Sequence, residues 1–401
     1  MMTANQVRGR SAFVPHDLQQ PIKGADTGPL AGLTVAIKDM YDIAGECTGG
    51  GNPDWLAAQQ PAQRNAPVVQ KLLDAGATVI GKTVCDEFFY SVAGVNAHYG
   101  TPHNPRAAGR IPGGSSSGSA SAAASGACDF AIGSDTGGSV RIPASFCGVY
   151  GIRTTHGRVD LDGAMAMAHS FDAAGWFASG PGIFRKIGPV LLGDGREDAE
   201  ITRLIVLDDA FAEAESEVAA LLTAALAAMR RDLPPAEHLC IAPDGFEPWR
   251  DAFRIIQGHE IWKVYGDFVT RAKPRLGEDI RERMRAASTI TDDQAVQAQA
   301  VRRKACEHIL GLVRPGTVLA LPTSPAIAPR ADATAAELDS VRTRIMRLTC
   351  IAGLSGLPQV SIPIGLVSGC PVGLSFIGWA GADEALLELA VRLSSYCGFE
   401  A

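Results

Sequence analysis

Short apolar runs alternate with helical patterns along the first third of the chain. The apolar run of residues 33–37 ends at the polar pair Lys38 and Asp39, and this pattern predicts a buried strand. Pro67 opens a stretch with apolar residues at helical spacing, and residues 78–80 predict the next strand. Because a strand, a helix and a strand follow one another, we expect parallel strands joined by right-handed crossovers.

The second half of the chain has a different pattern. Residues 204–207 predict one more strand, and the stretch 208–312 predicts a helical layer. The long helical patterns of this layer cover residues 211–231, 251–272 and 292–312. Strand character returns at residues 318–321, 359–364 and 372–377, and a final helix is predicted over residues 383–393.

We therefore expect strands from both ends of the chain to meet in one sheet. The predicted fold class is α/β: a single large domain in which a central mixed β-sheet is flanked by helices on both sides. The domain is expected to span residues 1–401, with a core at about 30–180, the helical layer at about 208–312, and residues 316–395 completing the same sheet.

Two glycine- and serine-rich stretches are the most unusual part of the sequence. Residues 113–118 lead into the segment 119–126, which is nearly all alanine and serine and predicts a helix packed very close to the sheet. Residues 129–132 predict a strand that ends at the second stretch, 133–139. Apolar residues that would need burial lie between the two stretches, so we do not expect this part of the chain to be a flexible linker. Neither stretch has the G-x-x-x-x-G-K-[ST] pattern of a phosphate-binding loop, and there is no G-x-S-x-G elbow with a plausible downstream histidine for Ser-His-Asp chemistry.

Composition and charge exclude several function classes. The chain has 401 residues, a net charge of −7 and 46% hydrophobic residues, so it is globular and lacks the basic footprint of a nucleic-acid-binding protein. No apolar run approaches the roughly 18 residues of a membrane span, and residues 1–10 are too polar for a signal peptide.

The nine cysteines form no C-x-x-C pair, which is typical of free thiols in a reducing cytoplasm. The histidines lack metal-ligand spacing, so we predict neither a metal nor another cofactor.

The chemistry that remains is a lysine after a strand and two serines in glycine-rich loops. A serine becomes nucleophilic when a base takes its proton, and a buried lysine can be that base because desolvation lowers its pKa. Gly137 and Gly138 have no side chains that would block a substrate carbonyl. Backbone N–H groups around them can therefore form an oxyanion hole beside Ser139.

These residues resemble those of the amidase-signature enzymes, which hydrolyse amides with a Ser–Ser–Lys triad. The similar segments are residues 36–39, 113–120, 133–144 and 147–151, with further matches at 170–172, 321–325, 353–358 and 371–374. Ser115 and Ser139 are 24 residues apart, as in the family pattern. The resemblance covers most of the chain and is highly specific.

The resemblance implies a role for each of these residues. Lys38 is expected to be the general base, held neutral, and Ser115, in a cis peptide, to pass a proton between Lys38 and Ser139. Ser139 is expected to attack the amide carbonyl. The expected oxyanion-hole donors are the backbone N–H groups of Thr136, Gly137, Gly138 and Ser139. Asp135 and Arg141 are expected to support the loop.

Other residues near these segments are interpreted as structural. His156, His169 and Cys147 are expected to have structural roles, with Cys147 as a small buried residue. Asp86 and Glu87 are expected to be solvated helix-capping residues.

The sequence departs from the family pattern in two places. At residues 153–158 the chain has Arg-Thr-Thr-His-Gly-Arg, where the family commonly has Lys-Pro-Thr-x-Gly-Arg, so Thr154 replaces the proline. This change leaves the substrate preference open. Ser134 replaces a frequent threonine, which is a mild change.

A narrower likeness concerns the substrate. Residues 51–55, 81–88 and 172–178 are similar to those of compact indole-3-acetamide hydrolases. This likeness implies hydrolysis of a small amide, such as an aryl-acetamide, to an acid and ammonia in the cytoplasm, with no nucleic-acid or membrane partner and with a homodimer left open. Three alternatives remain: the amidase (glutaminase) subunit of a glutamyl-tRNA amidotransferase, a non-catalytic amidase-like docking module, and an esterase.

Overall fold

Ten strands form one sheet in the computed structural model, which describes residues 12–398. In chain order they are β1 Thr34–Lys38, β2 Thr78–Thr83, β3 Phe130–Asp135, β4 Tyr150–Arg153, β5 Ala173–Ala178, β6 Arg203–Leu207, β7 Ala236–Leu239, β8 Thr317–Pro322, β9 Gln359–Val367 and β10 Cys370–Ile377. Their order across the sheet is β2-β1-β3-β5-β4-β9-β10-β8-β6-β7. Residues 1–10, for which we predict no signal peptide, lie outside the described residues.

The sheet is mixed. β1 pairs in parallel with β2 and β3, whereas the central strands from β3 through β5, β4, β9 and β10 to β8 are antiparallel. On the far side, β6 pairs in parallel with β8 and β7. Strands from both ends of the chain share this sheet and helices flank it, so the predicted α/β fold with a single mixed sheet is confirmed.

Helices occupy most of the connections between strands. They are Pro53–Ala57, Pro67–Asp74, Ser117–Ala124, Arg141–Cys147, Pro181–Lys186, Gly188–Leu191, Asp208–Ala212, Ser216–Ala228, Glu247–Ala272, Glu278–Ala287, Asp292–Leu312, Ala335–Ser355 and Asp383–Arg392. Short 3-10 turns cover Glu87–Phe89, Met229–Arg231 and Leu393–Tyr396. Two of the long helices begin at capping boxes, formed by Thr291 with Gln294 and by Thr334 with Glu337, which satisfy backbone N–H groups of the first turn.

The helix Ser117–Ala124 packs against the sheet through small residues, as the sequence predicts. A Cβ atom added to Gly118 would lie 2.2 Å from the Ala12 carbonyl oxygen and 2.7 Å from the Val84 nitrogen, so only glycine fits there. Ser119 Oγ donates to the Ile132 carbonyl on β3 at 2.8 Å. This close approach fixes the loop in front of the helix against the end of β3.

The long helices between β7 and β9 pack on one another. The helices Glu247–Ala272, Glu278–Ala287 and Asp292–Leu312 pack together, and the first and third also pack on Ala335–Ser355. The sequence predicts the first and third of these helices but not Glu278–Ala287. That helix is strongly charged and buries only Ile280, Met284 and Ala287, so its apolar stripe is too short to stand out in the pattern.

Candidate active site

Lys38 lies at the end of β1, beside the end of β3. The two strands are parallel, with Ile37 opposite Ile132, so the lysine emerges next to the loop that follows β3. Its Nζ atom lies 2.8 Å from Ser115 Oγ and 2.8 Å from Ser134 Oγ. The structure thus brings Lys38 and Ser115 together, and it adds Ser134, at which the sequence predicts only a mild replacement of a threonine.

The surroundings of Lys38 favour a neutral amine. The side chain is fully buried, and burial lowers the pKa of Lys38 to about 8, against the opposing effect of nearby groups that include Asp86. The Phe89 ring lies beneath the Nζ atom, 4.8 Å from it to the ring centroid. A lysine in this state can accept a proton near neutral pH, which an ordinary surface lysine cannot do.

The backbone around Ser115 is held by its neighbours. The Gly114–Ser115 peptide bond is cis. The Gly114 N–H donates to the Val92 carbonyl at 2.9 Å, and the Asp86 N–H donates to the Ser115 carbonyl at 3.2 Å. The Ser116 N–H donates to the Ser139 carbonyl at 3.3 Å, so the two serine-containing loops are joined directly.

Ser139 precedes the helix Arg141–Cys147 and lines a narrow cleft. Gly137 and Phe89 lie in the same cleft lining. Within residues 12–398, the N–H groups of Thr136, Gly137 and Ser139 have no hydrogen-bond partner. Backbone donors of this kind can stabilise a developing oxyanion.

Gly138 differs from the other three predicted oxyanion-hole donors. Its N–H donates to Asp135 Oδ1 at 2.9 Å, which uses the group inside the loop. We therefore correct the predicted set and remove Gly138 from it as a donor. Gly138 instead has a φ of 115° and lies against Thr349, where a Cβ atom would be 2.8 Å from the threonine methyl group, so its role is to let the loop turn.

Asp135 holds the loop that carries Ser139. Its carboxylate accepts hydrogen bonds from the Val140 N–H at 3.0 Å and from Arg141 Nη2 at 2.7 Å. Burial alone would raise the pKa of Asp135, but the guanidinium groups of Arg141 and Arg153 keep that pKa well below its usual range. Asp135 and Arg141 bond to each other and to the loop, and neither lines the cleft at Ser139; their supporting role stays a prediction.

A second carboxylate supports the loop from the other side. Thr136 Oγ1 donates to Asp172 Oδ1 at 2.6 Å, and Asp172 Oδ2 accepts from the backbone N–H of Met167 at 2.9 Å.

Thr154, which replaces the family proline, donates from both its N–H and its hydroxyl to the Ala174 carbonyl, at 3.3 and 2.9 Å. A proline could make neither bond, so this threonine ties its loop to β5 in a way that the family pattern does not.

Asp86 and Glu87 are not solvated capping residues, so this expectation is wrong. Both side chains are buried. Glu87 accepts hydrogen bonds from Asn52 at 2.8 Å and from the Gly277 N–H at 2.8 Å, and these partners are far away in sequence. Asp86 Oδ2 accepts from the Gly94 N–H at 3.0 Å, and burial raises the pKa of Asp86 to about 6.

The remaining expected structural residues do not reach the cleft lining around Ser139. Cys147 is buried, and burial raises the pKa of its thiol. His156 and His169 are exposed, and His156 Nε2 lies 2.8 Å from the His169 carbonyl oxygen.

A larger cavity adjoins the cleft at Ser139. It has a volume of about 410 Å³ and is lined by the helical layer and by the segment after Glu87–Phe89. Four residues line both spaces, namely Tyr90, Ser91, Val92 and Arg342. The cavity therefore lies directly beside the cleft at Ser139 and shares part of its lining.

Between residues 12 and 398 no group of three or more His, Cys, Asp or Glu side chains is placed to hold a metal ion. No helix in that range is long and apolar enough to cross a membrane.

The chain belongs to the Amidase family, whose sequence pattern matches residues 15–188 and 249–387. It is an amidase, and thus a hydrolase. The protein named Amidase 1 of Arabidopsis thaliana is 38% identical over 416 residues, which cover 96% of this chain and 98% of that protein. A glutamyl-tRNA(Gln) amidotransferase subunit of Methanospirillum hungatei JF-1 is 31% identical, over 90% of this chain and 92% of its own length. A solved crystal structure of an amidase has a TM-score of 0.84 at 28% identity, over 92% of this chain and 86% of that one.

Proposed function

We propose that this amidase hydrolyses a small carboxylic acid amide to the acid and ammonia through an acyl-enzyme on Ser139. The observation that carries the proposal is the contact of 2.8 Å between the buried Lys38 Nζ and Ser115 Oγ. A neutral lysine takes a proton from Ser115, and Ser115 takes the proton of Ser139 as its oxygen attacks the carbonyl. The backbone link between Ser116 and Ser139 supports this route because it keeps the two loops in register.

The free backbone donors complete the proposed mechanism. The N–H groups of Thr136, Gly137 and Ser139 bind the oxyanion of the tetrahedral intermediate. When that intermediate collapses, the relay returns the proton to the leaving nitrogen, and ammonia departs. Water then attacks the acyl-enzyme and gives a proton to the relay. The relay returns that proton to the Ser139 oxygen as the acid is released.

An aryl-acetamide such as indole-3-acetamide is the proposed kind of substrate. This part of the proposal is supported by the sequence likeness at residues 51–55, 81–88 and 172–178, and by a cavity whose volume of about 410 Å³ admits an aryl group. We also place the enzyme in the cytoplasm. The nine cysteines are free thiols in the described structure, which supports a reducing compartment.

Ammonia release from a panel of small amides tests the proposal. We expect release by the wild type, none by Ser139→Ala, and release by the control Ser125→Ala, whose serine lies at the end of the helix Ser117–Ala124 and whose hydroxyl donates to the Ala122 carbonyl. A fluorophosphonate should label Ser139 and no other residue. Labelling elsewhere, with Ser139 unmodified in an active enzyme, would contradict the acyl-enzyme assignment.

The second candidate function is the glutaminase subunit of a glutamyl-tRNA amidotransferase. The similarity to one subunit of such an enzyme, over 90% of this chain, favours it. This candidate requires ammonia release from glutamine that rises strongly when partner subunits are added. Turnover of aryl-acetamides by the isolated chain, with glutamine inactive, would exclude it.

A further inference from the structure

Gln257 brings a side-chain carboxamide to the cleft at Ser139. It lies within the helix Glu247–Ala272 and lines the cleft together with Gly137 and Met167. The residue is only 4% exposed, so its polar end is almost completely removed from bulk water. A Cβ atom added to Gly137 would lie 3.4 Å from Gln257 Nε2, which places the carboxamide against the loop that carries the proposed oxyanion donors.

The protein satisfies this carboxamide poorly. Gln257 Nε2 has the Met167 sulfur as its partner at 4.0 Å, and a thioether is a weak acceptor. Within residues 12–398, no group donates a hydrogen bond to Gln257 Oε1. A buried carboxamide oxygen without a donor is unfavourable, and buried polar groups in folded proteins are normally paired. The open acceptor therefore indicates that a ligand in the cleft supplies the missing donor.

The position of Gln257 in the cleft matches the leaving group of a substrate. The cleft shares four lining residues with the larger cavity, but Gln257 is not among them. In the proposed function, the carbonyl oxygen meets the backbone donors and the aryl group enters the larger cavity, so the nitrogen points to the remaining end of the cleft. Among the residues that the structure describes, the other side chains at that end, apart from the nucleophile, offer no strong acceptor; they are Phe89, Met167 and Met346.

We propose that Gln257 selects primary amides by accepting a hydrogen bond from the substrate NH2 group at its Oε1 atom. The inference rests on the proposed function, because it assumes that the scissile carbonyl lies at Ser139. When the tetrahedral intermediate collapses, the nitrogen receives the relay proton, the C–N bond breaks and ammonia departs. The nitrogen gains positive charge as it is protonated, so its hydrogen bond to Oε1 strengthens in the transition state. An ester of the same acid has no N–H group at this position and loses that contact.

A primary amide and an ester of one acid test the proposal. Phenylacetamide and methyl phenylacetate form the same acyl-enzyme, and kcat/KM compares the steps that lead to it. Gln257→Met replaces the carboxamide with a side chain of similar length that has no strong acceptor. We expect this variant to lower kcat/KM at least about tenfold for the amide and less than about twofold for the ester.

The ester also reports whether the variant is folded and its nucleophile active. The control Gln297→Met makes the same change at an exposed position of the helix Asp292–Leu312 and should leave both rates unchanged. Equal losses for the amide and the ester in Gln257→Met would overturn the inference, because a structural role or an oxyanion contact of Gln257 affects both substrates.

Binding to the Ser139→Ala variant gives a readout that does not depend on turnover. When Gln257→Met is added to this variant, the ratio of amide to ester affinity, measured by calorimetry, should fall about fivefold, as for the loss of one neutral hydrogen bond. An unchanged ratio would overturn the inference. Failure of the wild type to release ammonia from any amide would instead overturn the proposed function, and the change in the binding ratio would still decide the inference.

Discussion

The pH dependence of kcat/KM is the sharpest test of the role of Lys38. The group must be neutral to accept a proton, and its pKa is lowered from 10.5 to about 8 by burial. At that pKa roughly one-tenth of the molecules have a neutral Lys38 at pH 7 and roughly nine-tenths at pH 9. We therefore expect kcat/KM to rise about tenfold between pH 7 and pH 9 and to level off above pH 9.

A lysine at its ordinary pKa of 10.5 would give a different curve. Its neutral fraction would rise about 100-fold over the same interval, without a plateau. The difference between about tenfold and about 100-fold is large enough to measure by following ammonia release at low substrate concentration, with the uncatalysed rate subtracted. The quantity to measure is kcat/KM, because its pH dependence reports the pKa values of groups in the free enzyme.

Two substitutions serve as controls for this experiment. Lys38→Arg keeps a positive charge that is not lost at usable pH, and Lys38→Met removes the amine, so both should lose nearly all activity at every pH. A Lys38→Arg enzyme close to the wild-type rate would refute the assignment, because a guanidinium cannot act as the base. A flat wild-type profile would refute it as well.

Three further predictions follow from the same contacts. Ser115→Ala should lower kcat about 100- to 10,000-fold with a smaller change in KM, because a relay acts in the transition state; a loss within about twofold would show that Ser115 is only a turn residue. Asp86→Asn removes a negative charge that raises the pKa of Lys38, so the midpoint of the pH profile should move to lower pH, and an unmoved midpoint would contradict that coupling. Lys82→Met leaves the buried Asp39 without its lysine partner and should lower the free energy of unfolding by about 3–5 kcal/mol, measured by denaturant titration; a change below about 1 kcal/mol would show that the pair is not needed.

The fold could be predicted where strands are short apolar runs between turns. The predicted strand at residues 33–37 is displaced by only one residue from Thr34–Lys38, and the pattern at residues 359–364 lies within Gln359–Val367. β4 has only four residues and includes Gly151 and Arg153, and β5 includes Gly175 and three alanines, so neither forms the run of large apolar residues that marks the predicted strands. β7 is an edge strand with mostly exposed side chains, and it has no apolar signal at all.

For the candidate site, the sequence predicts only the types and the order of the residues. The spacing of Ser115 and Ser139 and the position of Lys38 after a strand predict which residues matter, but not which atoms meet. The contact of Lys38 with Ser134 depends on the register of β1 against β3, and register is not visible in a single strand's pattern. The use of the Gly138 N–H by Asp135 depends on the turn of one loop, for which the glycines permit several conformations.

The neighbouring lysines of β1 and β2 show why environment, rather than residue type, identifies a base. Lys38 and Lys82 are both fully buried, and both lie at the same end of adjacent parallel strands. Lys82 Nζ is 2.8 Å from Asp39 Oδ1, and a buried ammonium group with such a carboxylate is satisfied as a cation. Lys38 instead has the hydroxyl groups of Ser115 and Ser134 at 2.8 Å. A hydroxyl can donate to a neutral amine or accept from a charged one, so these partners satisfy Lys38 before and after it takes a proton, as a base in a catalytic cycle requires.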